Sequence, residues 1–461
     1  MSSPRLRTAL LLVLALFVAL QRPAAAYTLL THEQLIDLTW DDSIVPLLLS
    51  RYPGLTPAQL DEARAYAYGG CVIQDMGYYP FGQISFSNLT HYVRSGDFVV
   101  NLFRDAQSVD ELAFAIGALS HYIGDSYGHS LATNLAVPVE FPKLEREYGH
   151  HVNYAEGKHQ HVQTEFGFDI NEIAHHRMAP IHYLRHIGLR VSMRQLSLAF
   201  YQTYGLSDRF GGSRRAWVNQ SGYRFAVRNF IPRIAYAVTL IHRRHEPDDP
   251  DTPEARELHA EIAAMAQENH WDKYRRRAGI GTWTLAGILL VIPKFGPLKL
   301  VAVKGPTQDT EAEYDHSVVV SVNELRRALR RFTPLAARKT ASAEPGAPSL
   351  PDDVLQATSR DPHHPLPNRD LDTGRLVQPG GYPLTDSTFA SLLHSLTRQP
   401  NVPIPAGIKE AIEGYYANPE LPIRTKRDPR RWAIVQADLV TLRGMPTSAW
   451  PEPFPTYEEG Q

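Results

Sequence analysis

Apolar positions recur at three-to-four spacing along most of this chain. Leu112, Ile116, Leu119 and Ile123 form one such stripe, and Ser108-Val109-Asp110-Glu111 ahead of it has the form of a capping box. Thr56-Pro57-Ala58-Gln59 is a second capping box with proline at the first helical position, and Gly69-Gly70 closes the helix it opens. Further helices are predicted within 180–204, 217–242 and 252–277. Long stretches of strict apolar–polar alternation, the mark of half-buried strands, are missing. The pattern therefore predicts an all-α chain built as a multi-helix bundle, with a Pro-rich, partly irregular C-terminal extension.

The helical pattern is interrupted in three places. At the N-terminus, Arg5 and Arg7 precede an apolar run over 9–20, and Ala24-Ala25-Ala26 offers small residues for cleavage. Residues 1–26 read as a signal peptide, because a membrane span needs about 20 apolar residues. Residues 27–277 then form the main helical domain. Residues 278–292 are nearly continuous apolar sequence followed by Pro293 and Phe295-Gly296-Pro297. That run can face a membrane or form a buried helix and turn. Its shortness and its prolines favour the buried reading. An arginine-rich helix over about 318–332 is expected to pack on it, making 278–335 one unit. Residues 336–386, loaded with Pro, Ser, Asp and Gly, read as a linker, and 387–461 as a small helical region without an assigned role.

Charge and cysteine content narrow the function classes. Of 461 residues, 47 are basic and 49 acidic, and removal of Arg5, Arg7 and Arg22 with the signal peptide would take the formal charge from −2 to −5. Such a surface does not announce a nucleic-acid partner. The one cysteine, Cys71, cannot form an internal disulfide, so a secreted or periplasmic product would rely on its core and on metal. The 20 histidines are the unusual feature, with 12 of them between His32 and His186.

Within that region HYIGDSYGH places His121, Asp125 and His129 at successive steps of four. On a helix these lie within an arc of roughly 80° along one face. Imidazole and carboxylate together suit zinc, and an i,i+4 pair can grip one ion or two adjacent ions. His161 and Glu165 in HQHVQTEF repeat the spacing. His32, Asp75 in GGCVIQDMG and His91 in SNLTHYV each have a structural reading when taken singly: a helix cap, a turn former and a partly buried hydrogen-bonding histidine.

Their order is informative. An N-terminal residue, then His, Asp, His, HxxxD, His and HxxxE resembles the zinc-dependent phospholipase C family. Relatives of that family include single-strand-specific zinc nucleases and the catalytic domain of glycosylphosphatidylinositol-specific phospholipase D. The motifs span 27–168. The resemblance implies a helical fold of the phospholipase C and zinc nuclease type, two or three Zn²⁺ ions, and cleavage of a phospholipid or other phosphodiester by metal-activated water. It implies that Asp75, His91, His121 and Asp125 hold one zinc, and that His129, His161 and Glu165 hold a second. A third falls to His32, the bridging carboxylate of Asp125, and the amino group and carbonyl of Tyr27. Tyrosine stands where the family has tryptophan. Asp125 would carry the bridging water and Asp75 would orient it or take its proton. His150, His151, His159, His175 and His176 match no motif position. A single-strand-specific nuclease and a non-catalytic metal-binding scaffold are the alternative readings. Peripheral membrane contact fits a lipid substrate, and no protein partner is implied.

Overall fold

A computed structural model of the chain describes residues 29–79, 81–206, 214–242, 249–291, 303–334 and 363–451. The signal peptide and Tyr27 lie outside the described residues. No strand is present among them, as expected for an all-α protein. Seven helices surround the histidine-rich region: α1 (Leu29–Thr39), α2 (Pro57–Gly70), α3 (Ile84–Tyr92), α4 (Ser95–Asp105), α5 (Val109–Gly128), α6 (Asn134–Glu140) and α7 (Lys158–Ala174). Further along come α8 (Ile231–His242), α9 (Ile280–Val291), α10 (Gln308–Phe332) and α11 (Pro383–Thr397).

Helix α5 is the axis. Every residue from Leu112 to Gly128 is buried, because α1, α2, α4 and α10 all pack against it. Ser108 caps it by accepting from the Glu111 amide at 3.2 Å, but the Glu111 carboxylate turns away to the Gln107 amide and Arg194, so only half of the expected box forms. The Thr56–Gln59 box is complete. Gly69 and Gly70 lie in the last turn of α2 without a left-handed stop, and their role is close packing. A Cβ on Gly70 would sit 2.1 Å from the Phe114 carbonyl oxygen, and one on Gly117 would sit 2.1 Å from that of Ala67. The α2–α5 seam exists because these positions have no side chain.

Three expectations change. First, the long predicted stretches divide. Residues 180–204 break at Gly188, with φ +88°, into Ile181–Ile187 and Met193–Tyr204, and 252–277 gives Pro253–Glu268 and a short turn Trp271–Tyr274. Residues 217–242 carry a π-helical turn, Ala226–Phe230, ahead of α8.

Second, the apolar run is not buried. Helix α9 packs on α8 and buries Ala286 and Leu289, while Ile280, Trp283, Leu290 and Val291 are 57–88% exposed. Eight of its twelve residues are apolar and none is charged, so apolar side chains lie around the circumference, and packing on α8 covers only part of it. No helix among the described residues is long and apolar enough to cross a membrane. The arginine-rich helix α10 starts earlier than expected and packs along α5.

Third, the segment from 363 onward is no loose linker. Leu366 and Leu371 are fully buried, and Asp370 and Asp372 are each 3% exposed. Its backbone is matched to α3–α5: Ser95 donates to the Arg369 carbonyl at 2.6 Å, Tyr122 donates to that of Pro367 at 2.6 Å, and the Leu371 amide donates to that of His91 at 3.1 Å. Composition suggested a linker, but polar partners on the bundle satisfy these backbone groups and order the chain. Helix α11 then packs on α3.

Candidate metal centre

The first group of side chains is assembled at the α2–α5 seam. Beyond α2 the chain makes a tight turn, Gln74–Gly77, that holds Asp75. The turn is pinned from both sides: Gln74 Nε2 donates to the Ala118 carbonyl at 2.9 Å, and Ser87 Oγ donates to the Gln74 carbonyl at 2.5 Å. His91, near the end of α3, donates from Nδ1 to the Ser87 carbonyl at 2.7 Å. His121 donates from Nδ1 to the Cys71 carbonyl at 3.0 Å. A carbonyl can only accept, so each Nδ1 carries a proton, and each Nε2 faces inward as the nitrogen left to ligate a cation.

Those inner nitrogens converge on two carboxylates. His91 Nε2 lies 3.3 Å from Asp75 Oδ1 and 3.3 Å from Asp125 Oδ2, and His121 Nε2 lies 3.1 Å from Asp125 Oδ2. The other oxygen of Asp125 is 3.2 Å from Nε2 of His32 on α1. The His32 and His121 rings stack with centroids 4.4 Å apart. Gly124 leaves room for this, since a Cβ there would lie 2.9 Å from Leu35 and 3.2 Å from the His32 ring. Asp125 therefore faces His32 with one oxygen and His91 and His121 with the other.

The second group forms where α5 ends. The helix passes into a π-helical turn, His129–Thr133, a distortion that recurs at functional sites because it re-aims one side chain. His129 Nε2 comes within 3.4 Å of Glu165 Oε1, and His161 Nδ1 within 2.7 Å of the same oxygen. The two histidines use opposite ring nitrogens. His129 donates from Nδ1 to the Leu371 carbonyl at 2.9 Å. His161 donates from Nε2 to Asn134 Oδ1 at 2.9 Å, and Asn134 Nδ2 in turn donates to the Asp372 carbonyl at 2.9 Å, which fixes the amide's orientation.

Three triads thus have donor atoms within 4.8 Å of one another: His32, His121 and Asp125; Asp75, His91 and His121; His129, His161 and Glu165. All eight residues are at most 3% exposed. Burial opposes ionisation of Asp125, yet His121, His32 and His91 together hold its carboxyl well below the usual range. Burial also opposes protonation of His91, but Asp125 and Asp75 outweigh it and carry the imidazole up to about 10. Burial and then His121 lower His32, and burial and then His129 push His161 well down. Burial, reinforced by Asp125 and Asp75, drives the Glu165 carboxyl well up. A buried acid so placed serves as an anion only beside added positive charge.

The residues fit zinc. Asp75 Oδ1, both oxygens of Asp125, His129 Nε2, His161 Nδ1 and both oxygens of Glu165 are buried without an aligned hydrogen bond. Buried polar atoms are ordinarily satisfied, so several turned toward common points mark a cation site. Imidazole nitrogens and carboxylate oxygens are zinc's preferred donors outside thiolate.

Sequence reasoning missed the groups that orient the ligands. Four are backbone carbonyls or an amide side chain (Ser87, Cys71, Leu371, Asn134), which carry no residue-type signature. Of the histidines outside the motif, His150, His151, His159 and His176 are exposed, and His175 bonds locally to the Asn171 carbonyl. None joins a triad.

Residues 31–209 match the family described as zinc dependent phospholipase C. Neither the curated proteins nor the solved structures include a significant match to the chain. The matched region contains every residue of the three triads and ends well before α8.

Proposed function

We propose, proceeding from the membership of residues 31–209 in the zinc dependent phospholipase C family, that this chain is an exported zinc phosphodiesterase acting on phospholipid head groups. One observation carries the reading. Four histidines have their outer nitrogen tied to a fixed acceptor, and all four inner nitrogens face buried carboxylates. In this reading Asp75, His91, His121 and Asp125 hold one zinc, and His129, His161 and Glu165 a second. A third is held by His32, Asp125 and the backbone of Tyr27, a residue outside those described.

Bound zinc would neutralise charge on the phosphate and lower the pKa of a water from about 15.7 toward about 7. The chain's own groups set the geometry. Asp125 spans the centre with its two oxygens. Asp75 keeps Oδ1 directed inward, where it can orient a water or accept its proton. The one cysteine is no competing nucleophile: burial pushes the Cys71 thiol well up, and it is engaged with the Tyr68 carbonyl.

Helix α9 favours lipid over nucleic acid. Ile280, Trp283, Gly287 and Leu290 lie on one exposed stripe at helical spacing, and no charged residue interrupts the 12-residue helix. At about 18 Å it is suited to lie in a bilayer surface, with tryptophan at the interface. Arg275, Arg276 and Arg277 precede it by two residues, Arg276 and Arg277 exposed, and suit phosphate head groups.

The test is product analysis. The purified protein should contain zinc and release a diacylglycerol or a phosphatidic acid from phosphatidylcholine vesicles doped with anionic lipid. Trp283→Asp should weaken vesicle binding and vesicle hydrolysis while sparing a soluble phosphodiester. Cleavage of single-stranded DNA with inert vesicles would overturn the lipid reading in favour of a nuclease, and zinc without any hydrolysis would favour a scaffold.

A further inference from the structure

We infer that the segment around Asp372, outside the family-matched region, is part of the metal centre, and that Asp372 is a positioning residue for His129. The inference rests on the zinc reading above and adds to it a residue lying 163 positions beyond the matched region's end at 209. The observations are geometric. His129 Nδ1 donates to the Leu371 carbonyl at 2.9 Å, and Asp372 Oδ1 stands 3.9 Å from the same nitrogen. The Asp372 carboxylate is itself held: Tyr92 donates to Oδ2 at 2.9 Å and Tyr382 to the same oxygen at 2.5 Å. Its carbonyl accepts from Asn134, the residue that orients His161.

Two consecutive residues therefore stand behind the second triad, at His129 directly and at His161 through Asn134. Leu371 fixes the proton on His129 Nδ1 and leaves Nε2 for the metal. The negative charge of Asp372, buried beside that N–H, makes the ring a better donor. A carboxylate or carbonyl behind a ligand histidine typically changes metal affinity by 10–100-fold. The close fit has a backbone cause. Gly374 adopts φ +67°, and a Cβ there would stand 2.2 Å from the Ser126 carbonyl oxygen, so the turn after Asp372 can press against α5 only as glycine.

A purely structural role for Asp372, as an acceptor for two tyrosines, predicts a different outcome from a role in setting the ligand. Asp372→Asn keeps an acceptor for both hydroxyls and removes the charge. Asp370→Asn is the control: Asp370 is in the same segment, equally buried, and bonded to Thr385 and the Thr373 amide rather than directed at His129. Zinc affinity of the full chain is measured by competition with a chromophoric chelator, alongside the visible spectrum of the cobalt-substituted protein. Asp372→Asn should weaken one zinc class by about 10–100-fold and shift the cobalt bands, with unchanged helical content. Asp370→Asn should leave both readouts at wild-type values. Equal affinity and identical spectra for Asp372→Asn would overturn the inference, as would equal losses in both variants. A wild-type chain that binds no zinc would instead overturn the zinc reading beneath it.

Discussion

The Cys71 carbonyl accepts the Nδ1 proton of His121 at 3.0 Å, and it reaches that ring only because α2 and α5 touch backbone to backbone. A Cβ on Gly117 would lie 2.1 Å from the Ala67 carbonyl oxygen and 2.8 Å from the Cys71 amide nitrogen. Gly117→Ala must push the seam apart. Overpacking of this kind costs about 1–3 kcal/mol, and here it also withdraws the carbonyl that sets the His121 tautomer. The variant should melt earlier and bind zinc more weakly. Gly414→Ala, in a helix where nothing lies within 4 Å of the added carbon, should do neither. Equal melting temperature and zinc content in Gly117→Ala and wild type would show that the seam is slack.

Asp125 has both oxygens engaged across the centre, toward His32 on one side and toward His91 and His121 on the other. Asp125→Asn removes the negative charge and replaces one oxygen by an amide donor, which cannot ligate a cation. Its activity loss on a soluble phosphodiester should exceed that of any other single ligand change, and should exceed the roughly 10–100-fold typical of groups behind a ligand. Zinc content should fall with it. Near-normal turnover at full zinc content would remove Asp125 from its assigned place.

The i,i+4 spacing makes much of this centre legible in the sequence. His121 and Asp125 share one face of α5, and His161 and Glu165 share one face of α7, because helical periodicity is a local property. The π-helical turn at His129 is not legible. It hands that residue to the second triad, and a change of helical pitch has no residue-type marker. The Leu371–His129 bond is also hidden, since the partners are 242 positions apart and the acceptor is backbone. Residues 363–382 read as a linker because Pro, Asp and Gly enrich ordered turns as well as linkers. Helix α9 reads as buried because a continuous apolar run does not tell whether one side or all sides have partners.

Glu140 gives stability a pH dependence that can be isolated. Burial, only partly offset by the Thr164 hydroxyl and Lys304, pushes its carboxyl up from 4.5 to about 8. Between those values the folded protein keeps a proton that the unfolded chain has released. The contribution is therefore full below about pH 4.5 and is lost as pH rises through about 8. Glu140→Gln retains an acceptor for Thr164, which donates at 2.8 Å, and cannot ionise. Measured at saturating zinc, it should be more stable than wild type at pH 8, on the order of a few kcal/mol at about 1.4 kcal/mol per pH unit. The difference should shrink toward pH 5. A constant difference across that range would exclude titration of Glu140 as the cause.

The chain start should decide how many ions the centre holds. Just beyond Tyr27 the backbone is anchored: Leu29 and Leu30 are 2% exposed, the Leu30 amide donates to Asp169 at 3.3 Å, and the Thr31 hydroxyl donates to Asp169 at 2.8 Å. Asp169 lies on α7, one turn beyond Glu165, so the start of α1 is fixed to the helix that carries the second triad. His32 follows directly, facing Asp125. A free α-amine at Tyr27, which ordinarily titrates near about pH 8, can give up its proton to become a ligand, whereas a peptide nitrogen is a poor donor because its lone pair is delocalised. Removal of residues 1–26 would then complete the centre. A form beginning at Tyr27 should bind about one zinc more than a form with a single alanine placed before it, and should be much more active at equal helical content. Equal zinc content and equal rates would mean that Tyr27 is no ligand and that His32 and Asp125 serve a centre of two ions.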